Sequence, residues 1–419
     1  MRNVLLFLRD SIVPADASAP NVSLMPEPAG RGTFSILSGC LSTIFIAVWT
    51  AYHPDIPATL PRWRTSLDSL IETAGIILLL LFSPELLLIM AACERDEAQY
   101  IYQCVRNILN KQKDVGFPLT FKPIVLTHYD TPQTGEIEWT MTHAFFVQMG
   151  GFAFREEETD DTGEITVISG QQFINNFAHI KSTISWPSKE DILALSQKSK
   201  VAKFFSLEQC VSFIVMFVAR LVQGLPTSIL EFSTFAYATC AILAYALWWS
   251  KPGTIQASPI LLDSTLTFLP KPKREESQGV IPTLYSKLER MTSTSRTIIT
   301  ALVPVLFGSI HIPPAVARAS FPTTTEWWIW QFSLAVLMVL SLFILNLDCF
   351  NPQVWTEKFK SRDPLTIKDV VLFWFVFLTT IICALCRFYM VVAAFRQLFY
   401  LSPDAFKVPD WSNYIPRFS

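Results

Sequence analysis

Thr73-Ala-Gly-Ile-Ile-Leu-Leu-Leu-Leu-Phe-Ser-Pro-Glu-Leu-Leu-Leu-Ile-Met90 is the stretch that decides the fold class. Its one charge is Glu85, and it runs on through Ala91-Ala-Cys93. That supplies the roughly 20 apolar residues a helix needs to cross a hydrocarbon layer about 30 Å thick. At its centre Ser83-Pro84-Glu85 is a helix-start signal: a Ser cap, Pro at the first helical position, and an acid against the positive end of the helix dipole. The block therefore reads as two half-helices or one kinked span. The helix opening at Pro84 is expected to continue past Gln99 into Val105-Arg-Asn-Ile-Leu109, leaving the apolar layer as an amphipathic stem.

Six further blocks of this kind lie at 33–54, 204–224, 229–250, 297–312, 327–347 and 370–393. The block at 33–54 has no Lys, Arg, Asp or Glu, those at 204–224 and 229–250 are joined by Gly224-Leu-Pro-Thr227, and that at 297–312 contains Pro304, so that with 73–93 as the second they are spans 1 to 7 in order. Of the 419 residues, 51% are hydrophobic and 16% charged, against about 25% charged in ordinary soluble domains; the mean hydropathy is +0.36. The expected fold is an all-α, polytopic transmembrane helical bundle of about seven spans with a cytoplasmic polar subdomain. A net charge of −2 gives no electrostatic case for nucleic acid as a partner. Arg9 and Asp10 end the first apolar run too early for a signal peptide, so the first span is expected to direct insertion.

The chain divides into an N-terminal cytoplasmic segment (1–32), spans 1 and 2 with the stem (33–113), a polar loop or subdomain (114–203), a transmembrane hairpin (204–250), a second polar loop (251–296), spans 5 to 7 (297–400) and a tail (401–419). The first polar stretch holds the acidic run Glu156-Glu-Glu-Thr-Asp-Asp161, a turn at Gly163 and the strand-like Ile165-Thr-Val-Ile168. It also holds the uncharged Trp139–Phe154, which suits an interfacial or buried segment. Ser188-Lys-Glu-Asp191 is a helix-capping box, and a long helix entering the membrane near Phe204 is expected after it. The second polar loop carries Lys271-Pro-Lys-Arg-Glu-Glu276. Lys and Arg crowd before span 3, between spans 4 and 5, and between spans 6 and 7; the 3–4 turn has none, and the 5–6 connection has only Arg318. The positive-inside rule then puts the N-terminus and polar loops in the cytoplasm and the C-terminus outside or in a lumen, in the endoplasmic reticulum or plasma membrane.

Ionisable residues at membrane depth are costly and face a bundle interior or wet cavity. Glu85 and Glu208 are the candidate catalytic acids; Arg220, Gln223, Glu231, Arg387 and His143 are candidate substrate or structural polar contacts. A dipole-stabilised cap is the plainer reading of Glu85. Glu208 and Arg220 are twelve residues apart, about 18 Å along one helix, so they cannot pair. Arg220 is instead expected to meet Glu231 across the turn, as an ion pair locking the hairpin. His143 reads as a base or as a packed core residue. The histidines have no metal-binding spacing, and HExxH, GxSxG, Walker and GxGxxG patterns are absent, so no metal or cofactor is expected. Cys383 and Cys386 have redox-motif spacing but sit in an apolar helix, where thiols behave as small hydrophobes. Trp248-Trp249 and Trp327-Trp328-Ile-Trp330 fall at span ends, as an interfacial belt requires.

Ser196-Gln-Lys-Ser-Lys200, Ala219-Arg-Leu-Val-Gln-Gly-Leu225, Leu230-Glu-Phe-Ser-Thr-Phe-Ala236, Trp248-Trp-Ser-Lys-Pro252 and the closing Trp411-Ser-Asn-Tyr-Ile-Pro416 carry a resemblance over essentially the whole chain. With Arg31-Gly-Thr33, the His53-Pro-Asp-Ile-Pro57 block and Pro84-Glu85, the pattern resembles a family of multi-pass membrane proteins widespread in filamentous fungi. The resemblance implies a fungal source and a setting in specialised metabolism, and no particular reaction. Three functions fit: a membrane enzyme, of terpenoid cyclase or isomerase type, acting on a lipophilic metabolite; a transporter or channel for a small solute or ion; and a membrane scaffold. The expected partners are the bilayer and a lipophilic small molecule.

Overall fold

The computed structural model describes residues 31–52, 55–56, 74–114, 138–155, 165–184, 186–196, 200–255, 260–262, 280–291, 293–316, 321–344, 354–355, 358–359 and 366–409. The acidic run at 156–161, Gly163, His53, His128, the basic run at 271–276, Arg318, Asp348 and the 411–416 motif lie outside them.

Helices occupy every one of the seven apolar blocks. They are α1 (Thr33–Ala51), α2 (Ala74–Phe82), α3 (Pro84–Asp114), α7 (Lys200–Val222), α8 (Ile229–Leu247), α10 (Ser293–Ile310), α12 (Thr324–Ile344) and α13 (Ile367–Gln397). Four of the described helices, α1, α7, α8 and α13, are long and apolar enough to cross a membrane, or five if α2 and α3 count as one bent span. Only 11% of the most apolar window of α13 is buried, and Val371, Trp374, Leu378 and Leu385 project from it in the open. An apolar face of that extent suits lipid rather than water, so the chain has the build of a membrane-embedded helical protein.

At the centre of the bundle stands α8, packed by α1, α3, α7, α10 and α13. Its buried Ala236, Ala238, Cys240, Ala241 and Ala244 leave room for backbones to approach closely, which is how helices associate where no hydrophobic drive separates them from lipid. Cys383 and Cys386 are free thiols on α13. As the Ser-Pro-Glu signal implies, the second block breaks at Ser83, and α3 runs unbroken to Asp114. The axes of α2 and α3 turn through 113°.

The polar stretches form a cap. Its first part comprises α4 (Met141–Gln148), β1 (Phe152–Arg155), β2 (Ile165–Val167), α5 (Gly170–Thr183) and α6 (Lys189–Ala194); β3 (Ile260–Leu262) and α9 (Val280–Arg290) come from the second polar loop, and α11 (Ile312–Val316) completes the helices. β1 pairs antiparallel with β2 and parallel with β3 in a sheet ordered β2-β1-β3. The mostly helical expectation holds, with this small sheet added, and the two loops separated in sequence are joined by it. The uncharged Trp139–Phe154 becomes α4 and β1 and is buried, not interfacial. Ser188 does cap a helix through Asp191, but the long helix expected to follow stops at Ala194. Ser196 then bridges to Ile255 and a separate helix starts at Lys200.

Gly150 turns the chain with φ +86°, and Gly151 lies against the Phe146 ring, where an added Cβ would sit 2.4 Å from two ring carbons. That ring is edge-on to Phe152 at 5.4 Å. Gly151→Ala is expected to destabilise the cap by about 1–3 kcal/mol through overpacking, read as a lower unfolding midpoint of the detergent-purified protein; an unchanged midpoint would mean the ring is free to move.

The bundle has two distinct ends. At one, Thr50 at the close of α1 donates to Ser206 Oγ (2.5 Å), Ile56 N–H donates to Met149 O in the cap (2.8 Å), and Glu94 of α3 meets residues following α8. At the other, Arg31 bonds Glu231 and Arg220 bonds Lys407 O (2.6 Å). Arg31 and the cap thus sit at opposite ends of the bundle, and Asp55 and Glu94, on either side of the bent pair α2 and α3, both meet Lys287 at the cap end.

Candidate functional site

Where the cap meets the bundle, Glu94 is the hub of a buried charge network. Its Oε2 accepts from Lys251 Nζ (2.6 Å) and Trp248 Nε1 (2.8 Å), and its Oε1 accepts from Lys287 Nζ (2.6 Å). Lys287 also donates to Asp55 Oδ2 at 3.0 Å, so two cations meet two anions. Burial opposes the charge on Lys287, but the carboxylates of Asp55 and Glu94 outweigh it and hold the ammonium above its ordinary pKa. One turn along, Arg290 pairs with Glu97 at 3.1 Å. Trp248, expected in an interfacial belt, is 2% exposed and belongs to this hub; Trp330 is fully buried, whereas Trp249 is 80% exposed at the end of α8. The hub was missed from sequence because its members come from four separate segments.

Glu85 and Arg387, singled out separately from sequence, form an ion pair between the start of α3 and α13. The Arg387 guanidinium lies 4.9 Å from the Phe307 ring centroid. Glu85 Oε2 accepts no hydrogen bond among the described residues. It faces a void of about 10 Å³, lined also by Gly308, Met338 and Met390, enough for about one water. Glu208 is elsewhere: it is exposed on the outer face of α7 and accepts from Ser212 Oγ at 2.7 Å. The two candidate acids share no cavity.

The expected hairpin pair is present, with Arg220 Nε 3.7 Å from Glu231 Oε1. It belongs to a larger clasp. Arg220 donates to the carbonyls of Pro226 (2.7 Å), Ala405 (2.8 Å) and Lys407 (2.6 Å), Arg31 bonds Glu231, and Glu231 accepts from Ser228 N–H (2.8 Å) to cap α8. Gln223 sits in the turn itself, its N–H donating to Ala219 O at 3.1 Å.

His143 is 2% exposed within an aromatic cluster containing Trp139 and Trp186. Its Nδ1 accepts from Thr140 N–H (3.2 Å), which leaves Nε2 to donate to Pro187 O (3.0 Å). Both nitrogens are engaged in structure. Burial pushes its pKa below the ordinary 6.5, more than the Pro187 bond restores. The unfolded chain therefore binds the proton more readily, so this contribution to stability is present above pH 6.5 and is lost as pH falls. His143→Gln keeps a capping partner at the same position and is expected to flatten the acid side of a cap-stability profile; an unchanged profile would remove His143 as its cause.

Between α4 and α6 of the cap and the adjoining ends of α7 and α8 lies a cavity of about 720 Å³. That is the size of a small-molecule site. Leu193, Phe204, Leu207, Trp248 and Trp249 give it an apolar wall; Lys189, Lys203, Lys251 and the hydroxyl residues Thr142, Ser196 and Ser250 add polar groups. Among the described residues no carboxylate lines it, and none of the seven residues selected from sequence does. Among the described residues no cluster of His, Cys, Asp and Glu could hold a metal ion.

No curated protein and no solved structure matches the chain. A family model described as "Family of unknown function (DUF8562)" matches residues 3–269. That stretch takes in α1 to β3, with Glu94, Lys251 and the whole cavity lining, and leaves Lys287 and Arg387 outside it. Because the match covers more than half of the sequence, the chain belongs to the family of unknown function DUF8562.

Proposed function

We propose that the protein is a fungal integral membrane protein that takes a lipophilic metabolite from the bilayer into the cavity between bundle and cap, for its transfer or conversion. The cavity is the observation that carries this reading: it is of ligand size, largely apolar, and placed at the ends of two apolar helices. A cyclase starting by protonation needs an acid facing its substrate. Among the described residues the polar lining consists of lysines and hydroxyls with no carboxylate, which favours binding and handling of the molecule over that chemistry.

The topology that goes with it has six crossings, α1, α7, α8, α10, α12 and α13, and a re-entrant pair, α2 and α3. The nine residues of α2 extend about 13 Å, and its 113° angle to α3 brings both ends of the pair toward the cap. With Lys and Arg concentrated in the cap-side loops, the cap faces the cytoplasm and both Arg31 and residues 401–409 face the lumen or the exterior. The broken helix also favours a second reading as a transporter, since discontinuous helices commonly bind solutes at mid-membrane; reconstituted vesicles with no solute flux above background would remove it.

The test of the main reading is metabolite profiling of a deletion strain, cells and medium separately, complemented with wild type or with Leu207→Trp made at normal abundance. A metabolite missing or trapped in the deletion, restored by wild type and not by the cavity-filling variant, is expected. Identical profiles in all strains would overturn the reading.

A further inference from the structure

We infer that the ligand of this cavity is an anionic amphiphile, with a phosphate or carboxylate head held by Lys203 and Lys189 and an apolar chain lying along Phe204 and Leu207 toward the lipid. The inference rests on the cavity reading above and goes on to the ligand's chemistry. Among the described residues three lysines line the cavity and no carboxylate does. Lys251 is committed to Glu94, 2.6 Å away, and the hub balances its own charges. That leaves the ammonium groups of Lys189 and Lys203 as an excess of two positive charges over a cavity with largely apolar walls. Lys203 is only partly exposed and stands in the first turns of α7. A cation held there is costly unless an anion meets it.

Depth supports the amphiphile over a wholly soluble anion. Trp249 is 80% and Phe204 65% exposed, and both line the cavity at the adjoining ends of α8 and α7, the position at which aromatic residues mark the headgroup layer of a spanning helix. A head at the lysines therefore sits at headgroup depth, with its chain running beside α7. Thr142, Ser196 and Ser250 also line the cavity, and their hydroxyls would serve as donors to head oxygens. Lysine serves such heads as a point charge without demanding one geometry.

The test uses the full chain in nanodiscs of neutral lipid, with three photoactivatable probes: a fatty acid, a diacyl phosphatidic acid and an uncharged diacylglycerol. Crosslinks are mapped by peptide mass spectrometry. The two anionic probes are expected to label the segments around 203–207 and 245–253. Lys189→Glu with Lys203→Glu should lower that labelling about tenfold, a difference of about 1.4 kcal/mol, and Lys203→Arg should preserve it. The fatty acid labelling alone would assign a carboxylate head, and phosphatidic acid alone a phosphate head; both outcomes support the proposal. Equal labelling by diacylglycerol, indifferent to charge reversal and abolished by Leu207→Trp, would overturn the anionic class and leave the lipophilic cavity standing. Full displacement of the anionic probes by inorganic phosphate at millimolar concentration would make the ligand a soluble anion and overturn the amphiphile. No cavity labelling by any probe would overturn both this inference and the reading beneath it.

Discussion

Glu94→Ala is expected to cost about 3–5 kcal/mol of stability, because it leaves Lys251 and Lys287 buried without the carboxylate that both of them use. The loss exceeds that of a surface pair, worth at most about 1 kcal/mol, since Glu94 is 1% exposed and Lys251 2% exposed. In a thermal unfolding series on the purified protein the cap should separate from the bundle first, as the hub joins α3, the turn after α8 and α9. Glu94→Gln should fall between wild type and the alanine variant, because an amide still accepts a hydrogen bond but carries no charge. A midpoint within error of wild type for Glu94→Ala would mean that water reaches the hub and screens it.

Arg387→Met comes second in expected effect, again about 3–5 kcal/mol, by leaving the Glu85 carboxylate unpaired at the break between α2 and α3. Combining it with Glu85→Met should recover more than half of the loss, because removing both members of a buried pair is far less costly than removing one. A cycle of the two single variants and the double measures the coupling directly. Additive losses would show that Glu85 is stabilised by the start of α3 alone and that Arg387 acts only through its contact with Phe307.

What could be read from the sequence was what local spacing determines. The apolar blocks, the break at Ser83-Pro84-Glu85, the length of the helix after it, the cap at Ser188 and the strand at Ile165 all depend on residues a few positions apart. The Arg220–Glu231 pair was legible because a short turn brings the two together. The Glu94 hub was not: Glu94 and Lys287 are 193 residues apart, and each looks like a solvated charge in its own segment. Residues 152–154 end an uncharged run whose pattern suits helix, strand or interface alike, and their pairing with both Ile165–Val167 and Ile260–Leu262 is what makes them a strand. Counting apolar blocks as crossings does not decide every block. Ala74–Phe82 and the start of α3 together have the composition of a span, and their 113° angle is that of a broken span or a re-entrant pair; in the proposed re-entrant topology that one block decides on which side Arg31 stands.

That side can be read directly. Single cysteines at Ser35, Gly224, Ala178 and Val408, in a chain whose native cysteines are replaced, can be labelled with a membrane-impermeant maleimide in intact cells and in inverted vesicles. With six crossings and a re-entrant pair, Ser35→Cys, Gly224→Cys and Val408→Cys react from one face of the membrane and Ala178→Cys from the other. Ser35→Cys reacting together with Ala178→Cys, and apart from Gly224→Cys, would contradict the re-entrant pair and restore a seventh crossing.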